Sequence, residues 1–399
     1  MNILIVTYLF YPEPIVMSTI TGDLAVELSD KHNVTVLRPN PCRPYGYKFD
    51  SRTPQPVWPF KEVVIDSYTC SESDFFGRLR ENFSFGRGVR RYVRLHHDEI
   101  DVIYMSAFPL FAQKMILKTA EQYRIPVVNH VEDIYPEPFR HKLPFLGGLL
   151  YYMLLPIDKW IMRHATFSVV IGPKIREFFI RTRGADPSRV KVVYNWQDES
   201  RFYAVQSSER CSKPFTFMYA GSISRAANLQ NILQEFIEAS IPEARLVFAG
   251  SGTEKEALQR KAALSQDVDV SFIDVQSDRI AEIQSEADVL LLPLLPKVAL
   301  RALPSKFPAY LFSGKPVLAC VEDESDVAEI VRSGKCGWII PPQKRLQLAK
   351  TMQRIAHIDR RELQEMGRSG YEYSQKHLTR EINLRKLANI VFAAAEKQR

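Results

Sequence analysis

Cysteine is scarce in this 399-residue chain. The five present (Cys42, Cys70, Cys211, Cys320 and Cys336) are scattered, odd in number and never spaced as CxxC. That excludes a disulfide framework or zinc site as the first reading and fits buried thiols in a reducing compartment. Long apolar runs are lacking too. No charge-free stretch reaches the ~18 residues needed to cross a bilayer. The nearest approach, residues 143–157, stops at Asp158 and reads as a buried helix interrupted by Gly147-Gly148. A membrane-leaning face is the alternative there. Met1 to Val6 has no basic segment and no small-residue cleavage site, so it reads as a first strand and not a signal peptide. Short-period repeats and low-complexity tracts are missing. So is a convincing metal constellation: Asp267-Val268-Asp269 is formally a DxD, but it precedes a strand among polar residues and reads as a solvated loop.

What is present is an ordinary globular composition, 46% hydrophobic and 25% charged. The length suits two domains of ~150–200 residues each. The net charge of +7 suits a polyanionic ligand or an anionic membrane face without choosing between them. Six arginines (Arg78, Arg80, Arg87, Arg90, Arg91 and Arg94) stand in one stretch against a single acid, Glu81, with Phe83, Phe85 and Tyr92 between them. A solvated basic face is the first reading, a phosphate-bearing acceptor the second and nucleic acid the last.

Short aliphatic strands alternate with helical sequence. In the first half, strands are predicted at residues 3–7, 34–37, 63–65, 102–105, 127–131, 167–171 and 190–193. They are continuously apolar, as expected when helices cover both faces of a parallel sheet. Between the first two, Ile20, Leu24 and Leu28 share a helical face, with Ser18 or Thr19 as possible caps. The pattern restarts with strands at 215–220, 246–249, 270–273, 289–292, 316–319 and 338–340. Leu229, Ile232, Leu233 and Phe236 have the spacing of a packed helix. Two such series predict an α/β protein of two doubly wound domains facing one another across a cleft. The junction is expected at 196–213, where residues 206–208 and 211–214 look like linker.

Ligands of open α/β sheets bind at the carboxyl ends of the strands. Three phosphate-cradle candidates follow strands in the second half: Gly221-Ser222-Ile223-Ser224-Arg225, Gly250-Ser251-Gly252-Thr253 and Pro304-Ser305-Lys306. Glycine lets backbone N–H groups approach an anion, Arg225 and Lys306 supply charge, and helix N-termini bind phosphate. Strand–Gly–helix turns are also commonly structural. In the first half, Asp133 ends a buried strand in a turn flanked by tyrosine and proline, with Glu132 beside it and Glu137 close by. It is the candidate catalytic carboxylate, or else a helix cap.

These motifs, in order, resemble glycosyltransferase family 4. In the second half they are Tyr219-Ala220-Gly221-Ser222-Ile223, Gly250-Ser251-Gly252, the run from Ala287 to Pro293, Pro304-Ser305-Lys306 and Gly314-Lys315-Pro316-Val317. In the first half Tyr11-Pro12-Glu13-Pro14, the run from Val131 to Glu137 and Val193-Tyr194-Asn195-Trp196 agree. The likeness spans nearly the whole chain and is nearest to bacterial O-antigen and colanic-acid enzymes of the fucosamine-transferase type. It implies two Rossmann-like domains in the GT-B arrangement: an acceptor-side domain at 1–200, a donor domain at 201–375, and a last helix, 376–399, packing across the junction. It also implies a retaining reaction with a UDP-linked nucleotide-sugar donor, and no metal or other cofactor. Donor contacts would then come from Gly221, Ser222, Arg225, Gly250, Ser251, Gly252, Arg301, Ser305, Lys306 and Asp326. Glu13, Tyr135 and Glu137 would lie on the acceptor side, with Asp133 and Glu132 catalytic. The acceptor would be a glycan or polyprenyl-diphosphate-linked glycan, at a cytoplasmic site with peripheral inner-membrane contact and no nucleic acid.

The pattern departs at three points. Where many members carry two glutamates eight residues apart, this chain has Arg301 and Ala309. Arg301, with Lys297 one turn earlier, could meet an acidic sugar. The Gly-Gly usual after the first strand is replaced by Ile15-Val16-Met17, and Ser224 stands where relatives prefer glycine. The missing glutamates motivate a second reading, a catalytically silent nucleotide-binding subunit of a glycan-assembly complex. A sugar-nucleotide epimerase of the same architecture is the third.

Overall fold

The structure is a computed structural model that describes residues 1–43, 56–70, 74–106, 109–137, 139–142, 147–203, 214–265, 267–275 and 279–397. The chain divides into two compact units, Met1–Asn195 with Glu381–Arg399, and Trp196–Arg380. The linker-like residues 206–208 and 211–213 lie outside the described residues.

The first unit is built on seven strands: β1 (Asn2–Val6), β2 (Asn33–Arg38), β3 (Lys61–Val64), β4 (Val102–Ser106), β5 (Val127–Val131), β6 (Phe167–Val170) and β7 (Val190–Val192). They form one parallel sheet in the order β3-β2-β1-β4-β5-β6-β7. Its helices are α1 (Val16–Ser29), α2 (Phe75–His96), α3 (Leu110–Gln122), α4 (Phe139–Lys142), α5 (Gly147–His164) and α6 (Pro173–Arg183). Phe85, Val89, Ile116, Leu117, Leu154 and Ile161 from α2, α3 and α5 share one core with Val6, Met105 and Val127. Every residue of β4 and β5 is therefore buried. Local signals set the helix ends. Asp74 caps α2 by accepting the Gly77 N–H at 2.6 Å, and Gly184, at φ +62°, closes α6. Helix α1 begins at Val16 with Ile15 at its N-cap position, so neither Ser18 nor Thr19 caps it. Ile20, Leu24 and Leu28 are buried as their spacing predicts.

The second unit carries β8 (Phe215–Ala220), β9 (Ala244–Ala249), β10 (Asp269–Ile273), β11 (Val289–Pro293), β12 (Val317–Cys320) and β13 (Gly337–Ile339). Their order is β10-β9-β8-β11-β12-β13, again parallel. The helices are α7 (Ser200–Tyr203), α8 (Leu229–Ala239), α9 (Lys255–Ala262), α10 (Ile280–Ser285), α11 (Lys306–Phe312), α12 (Asp326–Ser333), α13 (Arg345–Ala356) and α14 (Arg360–His377). Phe217, Tyr219, Leu246, Phe248 and Leu291 pack with Leu229, Ile232, Leu233 and Phe236 of α8. The final helix, α15 (Arg380–Glu396), contributes its residues from Glu381 onward to the first unit. There Asn383 accepts the Tyr194 N–H at 3.1 Å and Phe392 meets the His32 ring.

In each sheet the first strand sits between its second and fourth, and the chain reverses direction of travel across the sheet there. Ligands of doubly wound folds bind outside the carboxyl ends of the strands at such a reversal.

Candidate active site

In the second unit that position is the exit of β8, and a half-buried cation lies on it. Lys306, the first residue of α11, extends its amine to the Tyr219 hydroxyl at 2.5 Å and over the Tyr219 ring, 4.5 Å from the centroid. Tyr219 donates in turn to the Ser222 carbonyl at 2.6 Å. Tyr310 accepts the Ala220 N–H at 2.9 Å and donates to the Ala220 carbonyl at 2.8 Å. Two tyrosines thus brace residues 219–222 and aim the amine at the turn. Among the described residues Lys306 has no carboxylate partner, and lost hydration pushes its pKa down to about 8. Arg225 is exposed at the end of the same turn. The Ala226 carbonyl accepts the Leu295 N–H at 3.2 Å, which ties that turn to the segment leading to half-buried Arg301.

The glycines serve this geometry differently from expectation. The Gly221 N–H donates to Ala249 at 2.9 Å and the Gly250 N–H to Ile273 at 2.8 Å, so both prolong the strand ladder and neither is free for phosphate. Their role is close approach. A Cβ on Gly250 would fall 2.0 Å from the Gly221 carbonyl oxygen, and one on Gly252 2.3 Å from that of Ile223. Gly221 leaves room for the Lys306 amine, 3.1 Å from where a side chain would start. Ser222 and Ser251 are exposed beside them. Ser305 holds the N-cap position of α11, but its side chain makes no capping bond, and Pro304 lies before the helix. The Ser305 carbonyl accepts from the Gln197 amide.

In the first unit the exit of β5 gathers buried polar groups. Glu132 accepts a hydrogen bond from the Asn195 side chain, while its buried Oε1 has no partner among the described residues. Burial, then the charge of Asp133, pushes Glu132 up to about 7 against that bond. Asp133 stands at the surface, its own carboxyl raised by lost hydration. One step inward, His130 shares a 2.7 Å hydrogen bond with the Tyr104 hydroxyl through Nδ1. Burial lowers His130 to about 4, which leaves it neutral, and its Nε2 has no partner among the described residues. A half-ionised carboxylate at neutral pH, beside a second one open to solvent, can accept a proton or orient a hydroxyl.

Comparison with known proteins agrees with both halves. Residues 17–201 match the family described as Glycosyltransferase Family 4, and residues 214–357 that described as Glycosyl transferases group 1. The chain is a family 4 glycosyltransferase of the GT-B type. It is 24% identical over 280 residues to a probable glycosyltransferase, WbjE of Pseudomonas aeruginosa, a match covering 65% of this chain and 66% of that one. The chain therefore spans just under two thirds of that relative's length. Among solved structures, sucrose-phosphate synthase from Thermosynechococcus elongatus shares the fold with a TM-score of 0.74 at 14% identity, covering 98% of this chain and 99% of that one. HepE of Anabaena, in complex with UDP, does so with a TM-score of 0.70 at 16% identity, covering 98% and 100%.

Several residues expected to contact substrate prove to hold the transferase together. Glu13 is buried, its Oε1 accepting the N–H groups of Cys42 (2.8 Å) and Arg43 (2.7 Å) and its Oε2 that of Phe10 (3.0 Å). Glu137 places both oxygens on Arg183 Nη2, at 2.8 and 2.7 Å. Arg183, wholly buried, also donates to Asp158 at 2.5 Å and to the Tyr135 carbonyl at 3.0 Å. Tyr135 is half-buried against Phe139, its hydroxyl pushed up to about 12 by burial. Asp326 is buried at the start of α12, where Ser325 accepts the Ala328 N–H as the cap. The carboxylates of Glu13 and Glu137 are thus held by partners within the first unit, and that of Asp326 is buried.

Sequence reasoning missed Glu322. It follows β12, is 7% exposed and accepts the Lys297 N–H through Oε1, while its buried Oε2 has no partner among the described residues. The available signal was position: an apolar strand running directly into an acidic stretch at its carboxyl end. Asn195 and Arg183 were missed as partners because their contacts are distant in sequence.

Proposed function

We propose that the transferase moves a sugar from a UDP-linked donor onto a hydroxyl of a growing bacterial surface glycan, of O-antigen or capsule type, carried on a polyprenyl diphosphate. The observation that carries this reading is the Lys306 amine: a half-buried cation, without a carboxylate, at the carboxyl end of β8. Such a cation suits the diphosphate of a nucleotide sugar. HepE structures described with UDP and with UDP-glucose support that donor class. A lipopolysaccharide outer core galactosyltransferase, WaaB, of the same fold (TM-score 0.66, 16% identity, covering 98% and 99%) supports a glycan acceptor.

In the proposed reaction the bond between the anomeric carbon and the diphosphate oxygen breaks. A bond to the acceptor oxygen forms with retention of configuration, and the hydroxyl proton leaves with the diphosphate. Lys306 and Arg225 stabilise the charge growing on the leaving group. Asp133, with Glu132 behind it, orients the acceptor hydroxyl and offsets positive charge on the sugar ring. No metal takes part in this scheme. Arg301, near the same edge, favours a sugar carrying an acidic group.

Thermal-shift measurements with UDP, GDP, ADP, TDP and CMP, each with and without EDTA, test the donor. UDP should raise the melting temperature of the native protein, with or without EDTA, and lose that effect in Lys306→Ala. A shift from another nucleotide alone would replace UDP, and a shift abolished by EDTA would overturn the metal-free scheme. Stabilisation undiminished in Lys306→Ala would overturn the assignment of the site.

A further inference from the structure

Glu322 stands two residues past the end of β12, and only β11 separates β12 from β8. Its carboxylate therefore lies on the same edge of the second sheet as the Lys306 amine. The residue is held firmly there. Its carbonyl accepts the Ser325 N–H at 3.1 Å and the Ser325 hydroxyl at 2.7 Å, which seats it against the start of α12. Its Oε1 accepts the Lys297 N–H. Lys297 has a φ of +69°, a left-handed conformation that residues other than glycine seldom adopt. The bond to Glu322, and not the local preference of the chain, sets the loop at that point.

The same loop reaches the turn after β8. The Leu294 N–H donates to the Cys320 carbonyl at 3.3 Å and the Leu295 N–H to the Ala226 carbonyl at 3.2 Å. Leu295 and Lys297 thus touch, in succession, the turn that carries Arg225 and the Glu322 carboxylate. Pro296 and Lys297 are exposed, so Glu322 lies directly beneath the solvent-facing surface of the loop. Two cations belong to this loop, Lys297 and half-buried Arg301, yet Oε2 has no partner among the described residues. A buried carboxylate oxygen without a donor carries a desolvation cost that a hydrogen-bond donor on a ligand would remove.

We propose that Glu322 selects the donor sugar, its open oxygen accepting one particular sugar hydroxyl. This deepens the nucleotide-sugar reading above and rests on it. A nucleotide sugar is a linear molecule with the diphosphate at its middle. With the diphosphate at the exit of β8, one end extends toward β9 and β10 and the other toward β11 and β12. On the first side a cavity of about 370 Å³ at the exit of β10 is walled in part by Ile273, Val275 and Ile283, which suits a flat heterocycle. The sugar then takes the second side, where Glu322 is. A site built to bond a substrate hydroxyl rejects the analogue lacking it, because its own buried acceptor is left unpaired. Glu322 therefore favours a sugar hydroxylated at the recognised carbon over its deoxy counterpart.

The test is a cycle between protein and sugar. Calorimetry of the full chain against UDP, UDP-glucose, UDP-galactose, UDP-N-acetylglucosamine and UDP-galacturonate identifies the sugar bound more tightly than UDP alone. The monodeoxy analogues of that nucleotide sugar are then compared with it. One analogue is expected to bind at least about a hundredfold more weakly than its parent. Glu322→Gln, whose amide oxygen can still accept the Lys297 N–H, should weaken the parent at least about tenfold and leave UDP itself unchanged. In Glu322→Met the parent and that analogue should bind equally. Melting curves check folding, and Glu322→Gln decides the matter alone if Glu322→Met does not fold. An analogue penalised equally in wild type and variants would assign Oε2 to a resident water and overturn the proposal. Equal losses of UDP and of the parent in Glu322→Gln would make the residue scaffold and do the same. Wild type that binds the sugars no more tightly than UDP overturns this proposal and leaves the nucleotide site standing. Wild type that binds no nucleotide overturns the donor reading, and this proposal with it.

Discussion

The Lys306 amine donates to the Tyr219 hydroxyl at 2.5 Å while Tyr219 donates onward to the Ser222 carbonyl. A lysine so placed carries its charge at the expense of the empty protein, because its pKa, about 8, lies below the ordinary 10.5. Between those values the unfolded chain binds more protons, so stability rises with pH across that window, and below pH 8 the burial penalty is fully present. Lys306→Met should therefore stabilise the unliganded protein at pH 7 by about 1–2 kcal/mol, discounted for partial exposure. The same change should weaken UDP binding at least about tenfold. Calorimetry with and without UDP reads both effects; a variant destabilised and still binding UDP normally would contradict the assignment.

Glu132 should govern the acid limb of the pH–rate profile. If it acts ionised, kcat/KM rises with pH through a midpoint near its value of about 7 to a plateau above it. Asp133 contributes to that elevation, so Asp133→Asn should move the limb to lower pH as well as slow turnover. The stability sign is opposite to that of an ordinary paired carboxylate. A folded pKa above the unfolded one means that stability is lost as pH rises from about 4.5 through 7. Glu132→Gln should thus match wild type in acid and exceed it above pH 7. Steady-state profiles and melting curves across that range check the two halves separately.

Much of this arrangement was legible in the sequence where burial alone decided it. The runs at 127–131 and 215–220 become β5 and β8 to the residue, since both are mostly apolar, buried at every position and end at acidic or glycine punctuation. The expected strand at 63–65 instead runs over Lys61–Val64, because an edge strand has a half-exposed face and tolerates lysine and glutamate. Site chemistry was legible by position only. Lys306 and Glu132 stand where strand ends put them, but Glu13 and Glu137 look equally available until their distant partners, Cys42, Arg43 and Arg183, are seen. The glycines were recognised as special for the wrong reason: what approaches Gly250 is the neighbouring turn.

That approach makes Gly250 a sharp test of the donor-side scaffold. Its φ of +148° and the 2.0 Å gap to the Gly221 carbonyl leave alanine no place without moving the Gly221 turn against which the Lys306 amine lies. Gly250→Ala should cost about 2–4 kcal/mol of stability and weaken UDP binding together. Gly148→Ala, where a Cβ meets nothing within 4 Å, is the control and should leave both unchanged or slightly improved. Denaturant melts of the two variants, with and without UDP, make the comparison.

Glu137 separates scaffold from acceptor contact. Arg183 is wholly buried and its guanidinium is shared by Glu137, Asp158 and the Tyr135 carbonyl. Removing one carboxylate leaves a buried cation with half its compensation, and Asp158, itself raised to about 6 by burial, cannot supply the rest. Glu137→Ala should lose about 3–5 kcal/mol, the range for breaking a buried pair from one side. Arg183→Lys should not rescue the network, since one ammonium cannot span three acceptors in the guanidinium's planar fork. Replacing both partners, as Glu137→Gln with Arg183→Met, should recover part of the loss by removing the stranded charge. In every case the UDP-induced shift should persist, because the second unit is untouched. A Glu137→Ala variant as stable as wild type, but with acceptor KM raised, would return this glutamate to the acceptor site.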